Sequence, residues 1–403
     1  MARAWGNRGP DLQGLRFFSE PSDRERAAFF VGRTNEIEDI ERALARALRH
    51  AQAGQRSAGA TRLIQGAPGA GKSSLLAHLE ENWTQAGGQA PFVLSVYLEE
   101  LADPDRIAQA IAVRLDPRRA ERFRRTETRS GSIGVSGVGG GWAAEIAPPG
   151  GFGALTQMFP PERWRRPLCL LVDEVQNLEP DQAGMVRRLH EAVDGLPIVP
   201  VLAGLANARD VLAKRGISRL SIGTVHMLGR LEPGQPAESA RAMLESFRVE
   251  AAEAEAARWA GLLEELSDRW PQHLRNGMSA LAEGLLATGG VLASIDEKTV
   301  LAGAEERRLD SYRARRSSEM LGSGLLLAAV MEAVPEDGLG YVETLRVIEE
   351  NAGAVSGRRL PPGMEPEEYL DHLVHRGALQ DDGTGRLACP IPSFRRFLAE
   401  AGS

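Results

Sequence analysis

The chain has 403 residues, a hydrophobic fraction of 43%, a charged fraction of 26% and a formal net charge of −7. That composition excludes disordered and fibrous classes, and the length implies two or three domains whose cores, with aromatics at 5%, are aliphatic. Basic residues are almost all arginine: Lys72, Lys214 and Lys298 are the three lysines, against 45 arginines.

In chain order, residues 1–29 mix polar and aromatic residues without a sustained period and read as an irregular N-terminal arm. Asn35 then offers a cap with Glu38 three residues on, and Ile37, Ile40, Leu44 and Leu48 predict an amphipathic helix to about His50. From Arg62 onward, short apolar runs alternate with helical patterns, which predicts a parallel sheet with crossover helices. The runs are Arg62 to Gln65, Phe92 to Leu98, Leu168 to Val172, Ile198 to Leu202 and a weaker fifth, Leu220 to Leu228. Helical patterns between them include Ile107, Ile111 and Leu115, then Met185, Leu189 and Val193. A Gly- and Ser-rich stretch at 126–153 interrupts the alternation, either as an inserted hairpin or loop or as a solvated flexible loop. After Pro233 only helical patterns continue to about Arg316. The last part, 317–403, reads as helices, with one at Pro366 to Arg376, ending in a short hairpin that turns at Asp382 to Gly385.

Cys169 and Cys389 fit no metal spacing, so a reducing compartment and buried, unpaired thiols are expected. His372 and His375 stand one helical turn apart without a further ligand nearby and read as surface or packing residues. The apolar stretches fall short of the ~20 residues a membrane span needs, and the N-terminus lacks an apolar signal core, so the expectation is a cytoplasmic chain without membrane contact.

The chemistry is concentrated in Gly66-Ala67-Pro68-Gly69-Ala70-Gly71-Lys72-Ser73, followed by Ser74. This spacing fits the phosphate-binding loop at every fixed position, between an apolar run and a helical pattern. Glycines let backbone amides turn toward an anion, and the following helix aims its positive end at the same point. Lys72 adds a point charge on the phosphates, and the Ser73 hydroxyl offers a ligand to Mg2+. Downstream, Leu168 to Val172 ends in Asp173-Glu174. In a parallel sheet that strand end lies beside the loop, where Asp173 can hold the Mg2+ water shell and Glu174 can orient or deprotonate an attacking water.

With Phe30-Val31-Gly32-Arg33 ahead of the first helix, the loop, Asp173-Glu174-Val175-Gln176, and the run Ile198 to Leu202 followed by Gly204, residues 30–290 resemble an AAA+ ATPase. The likeness is strongest to the origin-recognition-like and STAND-like branches, which also carry a C-terminal winged helix. It implies ATP and Mg2+ as cofactors and an α/β P-loop NTPase fold with a five-stranded parallel sheet, then an α-helical lid and a winged helix. The expected boundaries are arm 1–29, ATPase core 30–232, lid 233–316 and winged helix 317–403. The resemblance also implies that Val31 and Gly32 pack near the adenine and that Asn207 senses the terminal phosphate. It further implies homo-oligomers in which Arg219 or Arg215 reaches a neighbouring subunit's nucleotide. Where such a lid offers an arginine, this chain has Gln272, with Arg275 one turn further as the alternative. Pro271-Gln272-His273-Leu274 instead resembles the STAND pattern, which favours a slower nucleotide switch over fast ring-type hydrolysis.

Residues 317–403 hold 14 acidic residues and 7 arginines, so the whole net charge lies there. That favours a protein partner for this segment over nucleic acid, although Arg386, Arg395 and Arg396 keep the alternative open. Five arginines within Arg118 to Arg125 are the candidate contact for DNA or a partner; Arg307 to Arg316 holds another five and reads as a solvated face.

Overall fold

The computed structural model describes residues 9–19, 29–55, 61–87, 90–96, 104–118, 152–178, 196–214, 222–316, 324–353, 357–381 and 384–402. Helices α1 (Leu12–Ser19) and α2 (Thr34–Gln52) precede a sheet whose strands alternate with α3 (Lys72–Ala86), α4 (Pro104–Leu115), α5 (Phe152–Met158) and α6 (Ala208–Leu212). The five apolar runs are its strands: β1 (Thr61–Gly66), β2 (Phe92–Val96), β3 (Leu168–Val172), β4 (Ile198–Gly204) and β5 (Ile222–Leu228). All neighbours are parallel, in the order β2-β3-β4-β1-β5.

β1, β3 and β4 are buried at every position because helices cover both faces. Alternate side chains sort accordingly. Ile64, Leu171 and Val201 share a core with Ile40 and Leu44 of α2 and Leu75 and Leu79 of α3, while Leu63, Leu170 and Ile198 pack with Ile107 and Ile111 of α4. This order sets the carboxyl ends of β1, β3 and β4 along one edge, where ligands of open parallel sheets bind.

Two local expectations change. The Asn35 cap does not form: α2 opens at Thr34 behind Arg33, whose left-handed φ of 59° makes the turn with no side-chain capping bond. The arm is not irregular throughout, since α1 buries Leu15 and Phe18. Phe18, Phe29 and Phe247 form a ring cluster with centroids 5.3–5.8 Å apart, and the aromatic content of the arm supplies two of the three. Of the expected insertion, 126–151 lies outside the described residues and Phe152 already belongs to α5; the pattern Met185 to Val193 also lies outside them.

Beyond the sheet come α7 (Gln235–Ser246), α8 (Glu253–Ser267), α9 (Pro271–Ala287) and α10 (Glu297–Arg316), a helical layer around Trp259, Leu263, Met278 and Leu281. The remainder runs α11 (Gly324–Ala333), β6 (Leu339–Gly340), α12 (Tyr341–Asn351), α13 (Pro366–His375), β7 (Gln380–Asp381), β8 (Arg386–Ala388) and α14 (Pro392–Gly402). Its strands form an antiparallel sheet, β6-β8-β7, and the expected hairpin pairs Gln380 with Ala388. A capping box between Glu365 and Glu368 starts α13. This last segment does not hang free. Leu326, Tyr369, Leu379 and Phe394 share one buried cluster with Ala67 and Ala70 of the glycine-rich loop, Trp270, and Tyr312 of α10.

Candidate functional site

β1 ends at Gly66 and α3 begins at Lys72, so the loop between them crosses the carboxyl edge of the sheet. Gly69 takes φ +80°, and a Cβ there would lie 2.9 Å from both Trp270 Nε1 and Gln272 Cβ, so no other residue fits unstrained. Lys72 is buried, and its ammonium donates to the carbonyls of Gly66 (2.9 Å) and Ala67 (3.2 Å). Burial pushes its pKa below the ordinary lysine value; Glu174 and Asp173 act in the opposite direction, and the charge of Arg315 adds to the lowering. Two carboxylates near enough to act on the ammonium put the end of β3 beside the loop, as the sheet order requires.

At that end Asp173 is half-buried and Glu174 exposed. Glu174 holds a left-handed φ of 57°, and its amide donates to Asp173 Oδ1 at 2.8 Å, which aims the two carboxylates differently. Gln176 donates to the Glu174 carboxylate and accepts from the Leu205 amide at 3.0 Å. Gln65 of β1 donates to the Ala206 carbonyl at 2.5 Å. The turn after β4 is thus tied both to Glu174 and to the loop strand. Asn207 follows that turn, and its Oδ1 is buried with no hydrogen-bond partner among the described residues. Ser73, the first residue after Lys72 in α3, is half-buried. Its hydroxyl and the Asp173 carboxylate are hard oxygen donors, the type Mg2+ takes, and they fit that ion.

Beside the start of α3 lies a mostly apolar cavity of about 100 Å³, walled by Phe30, Val31, Gly71, Ser74, Pro271 and Met278. Val31, which the resemblance implies lies near an adenine, is on this wall. Gly32 is not on this wall; it backs onto Gln235, whose Cδ would lie 2.7 Å from an added Cβ. Arg33, which sequence reasoning left without a role, donates to the carbonyls of Ala70 (3.2 Å) and Gly229 (2.5 Å) and fastens the Val31 segment to the loop. Helix α9 meets the loop through the Gln272 amide, which donates to the Gly69 carbonyl at 3.2 Å. Arg275 does not reach the phosphate end: its guanidinium lies 3.9 Å from the Phe18 ring centroid, donates to the Phe18 carbonyl, and borders the cavity. Arg215 and Arg219 lie outside the described residues, as does all of Arg118 to Arg125 except the exposed Arg118.

Two contacts had no signal in the sequence. Gln380 of β7 accepts from the Ala67 amide at 3.0 Å and donates to the Leu228 carbonyl at 3.3 Å. Gly377 packs so closely that an added Cβ would come within 2.7 Å of Pro68 Cδ. From α10, Arg315 donates to the Pro68 carbonyl. The run Arg307 to Arg316 was therefore only partly a solvated face.

A family model described as the AAA domain matches residues 55–212, a span that contains the loop, α3, Asp173-Glu174 and Asn207. That span of the chain is similar to the AAA domain. Among solved structures, the ORC2 protein of Aeropyrum pernix in its ADP form superposes with a TM-score of 0.50 at 16% identity, covering 98% of this chain and 96% of that one. A Walker-type ATPase of Pyrococcus abyssi gives a TM-score of 0.49 at 17% identity over 90% of this chain and 95% of its own. The RuvB Holliday junction branch migration motor of Thermotoga maritima gives 0.39 at 15% identity over 91% and 95%. The likeness to the Aeropyrum protein is one of fold, and the lower scores of the other two carry no argument. No curated protein matches the sequence. Within the matched span, the loop, the Asp173-Glu174 pair and the Asn207 turn converge at one sheet edge. The cavity that extends the site is completed by residues on both sides of that span.

Proposed function

We propose that the protein binds ATP with Mg2+ and hydrolyses it to ADP and phosphate, coupling the cycle to conformational change or oligomer assembly. The observation that carries this reading is the buried Lys72 ammonium, held by the loop carbonyls of Gly66 and Ala67 and within electrostatic reach of Glu174 and Asp173. In this reading the cavity beside Val31 and Pro271 takes the base, and the amides from Gly69 to Ser74 take the phosphates. Ser73 and Asp173 hold Mg2+, which neutralises charge on the phosphates. Glu174 orients the attacking water and accepts its proton, and Asn207 offers its polar side chain to the terminal phosphate. Phosphate release should require Mg2+, and Glu174→Gln should lower it about 100-fold or more while nucleotide binding survives. Turnover unchanged by that substitution would sink the reading.

A slower nucleotide switch is favoured by one observation, the seating of 324–402 on the loop through Gln380 and Gly377. Tightly held nucleotide after purification, with negligible turnover even alongside DNA, would support it over fast hydrolysis. In both readings 30–232 is the ATPase core, 233–316 its lid and 317–403 a winged helix, for which the order helix, strand, two helices and a hairpin is the support. Its net charge of −7 fits a protein partner. So do its arginines: Arg386 donates to the Asp337 carbonyl, Arg395 to the Met331 carbonyl, and Arg396 pairs with Asp268 at 3.2 Å. A homo-oligomer in the cytoplasm, with Arg219 or Arg215 as its finger and Arg118 to Arg125 as a DNA contact, completes the proposal. Among the described residues no helix is long and apolar enough to cross a membrane.

A further inference from the structure

Arg315 stands in the last turn of α10 and is half-buried. Its protein acceptor is the Pro68 carbonyl. On its other side lies the Phe394 ring, with the centroid at 5.9 Å. Three other arginines of the same run have acids: Arg307 pairs with Glu283 at 2.5 Å, Arg308 with Glu305, and Arg313 with Asp310 at 2.8 Å. Among the described residues no carboxylate pairs with Arg315. A half-buried guanidinium without a counter-charge is costly, and the burial it has depresses its pKa, so the place it occupies calls for an anion.

Which part of a nucleotide would supply that anion follows from the direction of the loop. The base cavity touches Ala70, Gly71 and Ser74. The Lys72 ammonium lies against the carbonyls of Gly66 and Ala67, at the opposite end, and Arg315 reaches Pro68 beside it. A triphosphate with its base in the cavity therefore runs toward Lys72 and ends near Arg315. The neighbouring helix α9 does not serve this end with a charge, because Gln272 is neutral and Arg275 is held at Phe18.

We propose that Arg315 is the arginine that reads the terminal phosphate: with ATP bound, its guanidinium donates to the γ-phosphate beside Pro68, so that α10 responds to the third phosphate. This rests on the ATP-binding reading above. The response has a route outward, because Tyr312, one turn earlier in α10, donates to or accepts from Ser393 of α14 at 2.6 Å and packs on Phe394.

The test compares the affinities of the full chain for Mg-ADP and for a Mg-bound non-hydrolysable ATP analogue. Arg315→Gln should weaken the triphosphate analogue about tenfold or more and ADP less than about threefold, and Arg315→Lys should restore part of the difference. An arginine that only clamps Pro68 would shift both nucleotides together, so an unchanged affinity ratio overturns the role. If Arg315→Gln does not fold, the ratio is read on Arg315→Lys, where loss of the planar fork should cost about threefold on the triphosphate alone. A wild-type chain that binds neither nucleotide would instead overturn the ATP reading itself and this role with it.

Discussion

Lys72 shows what residue choice reveals in a chain that uses arginine nearly everywhere. A compact ammonium fits between two loop carbonyls where a planar guanidinium would not, and the buried site disfavours its charge until an anion arrives. The same economy of space governs Gly69. An alanine there must adopt φ near +80° and push against Trp270 and Gln272, so Gly69→Ala should destabilise the fold by about 1–3 kcal/mol and weaken nucleotide binding. Gly261, on the exposed face of α8 with nothing within 4 Å of an added Cβ, is the control: Gly261→Ala should stabilise by about 0.5–1 kcal/mol. Urea midpoints of the two variants moving in the same direction would contradict this account of the loop.

At the scale of elements, one ion cluster fastens α2 across the sheet. Arg62, buried in β1, pairs with Asp39 of α2 at 2.5 Å, and His226 of β5 reaches the same carboxylate at 3.0 Å. Burial alone would raise the Asp39 pKa, but hydrogen bonds from His226 and Arg62 and their charges hold it below the ordinary value. Its stabilising contribution is therefore complete above the unfolded carboxylate range and is lost as pH falls below about 4. Asp39→Ala removes the carboxylate paired with the buried Arg62 guanidinium and should cost about 3 kcal/mol in urea unfolding at pH 7, whereas Asp39→Leu combined with Arg62→Met should cost less than the single change. A double variant as unstable as Asp39→Ala would refute the buried-charge explanation. None of this was legible in Arg62 to Gln65, which reads as a strand with polar interruptions. Sequence exposes chemistry carried by neighbours: eight consecutive residues specify the loop, and the unbroken apolar run Leu168 to Val172 specifies a covered strand. The eight residues of α1 are too few to show a helical period, and their burial depends on Phe29 and Phe247. In the run Arg307 to Arg316, Arg307 finds Glu283 while Arg315 finds Pro68, 247 residues away, and nothing local distinguishes them.

At the scale of the whole molecule, the interface between α9, α10 and α14 contains a buried titratable group. His273 of α9 is 3% exposed, and its Nε2 meets the Tyr312 hydroxyl at 3.1 Å, which in turn meets Ser393 of α14 at 2.6 Å. Burial first, then the charges of Arg308 and Arg315, push its pKa down to about 4 against an ordinary value of 6.5, with Asp268 opposing. The folded chain thus keeps His273 neutral while the unfolded chain takes up a proton. Its contribution is fully present above pH 6.5 and declines as pH falls toward 4, by up to about 3 kcal/mol. His273→Gln keeps a polar group facing Tyr312 but removes the titration. The wild-type advantage over this variant, measured by urea unfolding, should therefore be largest at pH 7.5 and shrink toward pH 4.5. Because Tyr312 also packs on Phe394 and Phe397, the acid-induced loss should appear first as faster amide exchange in α14. An advantage that stays constant from pH 7.5 to 4.5 would mean that His273 is protonated in the folded chain, and that the contact between α9, α10 and α14 does not exclude water as described.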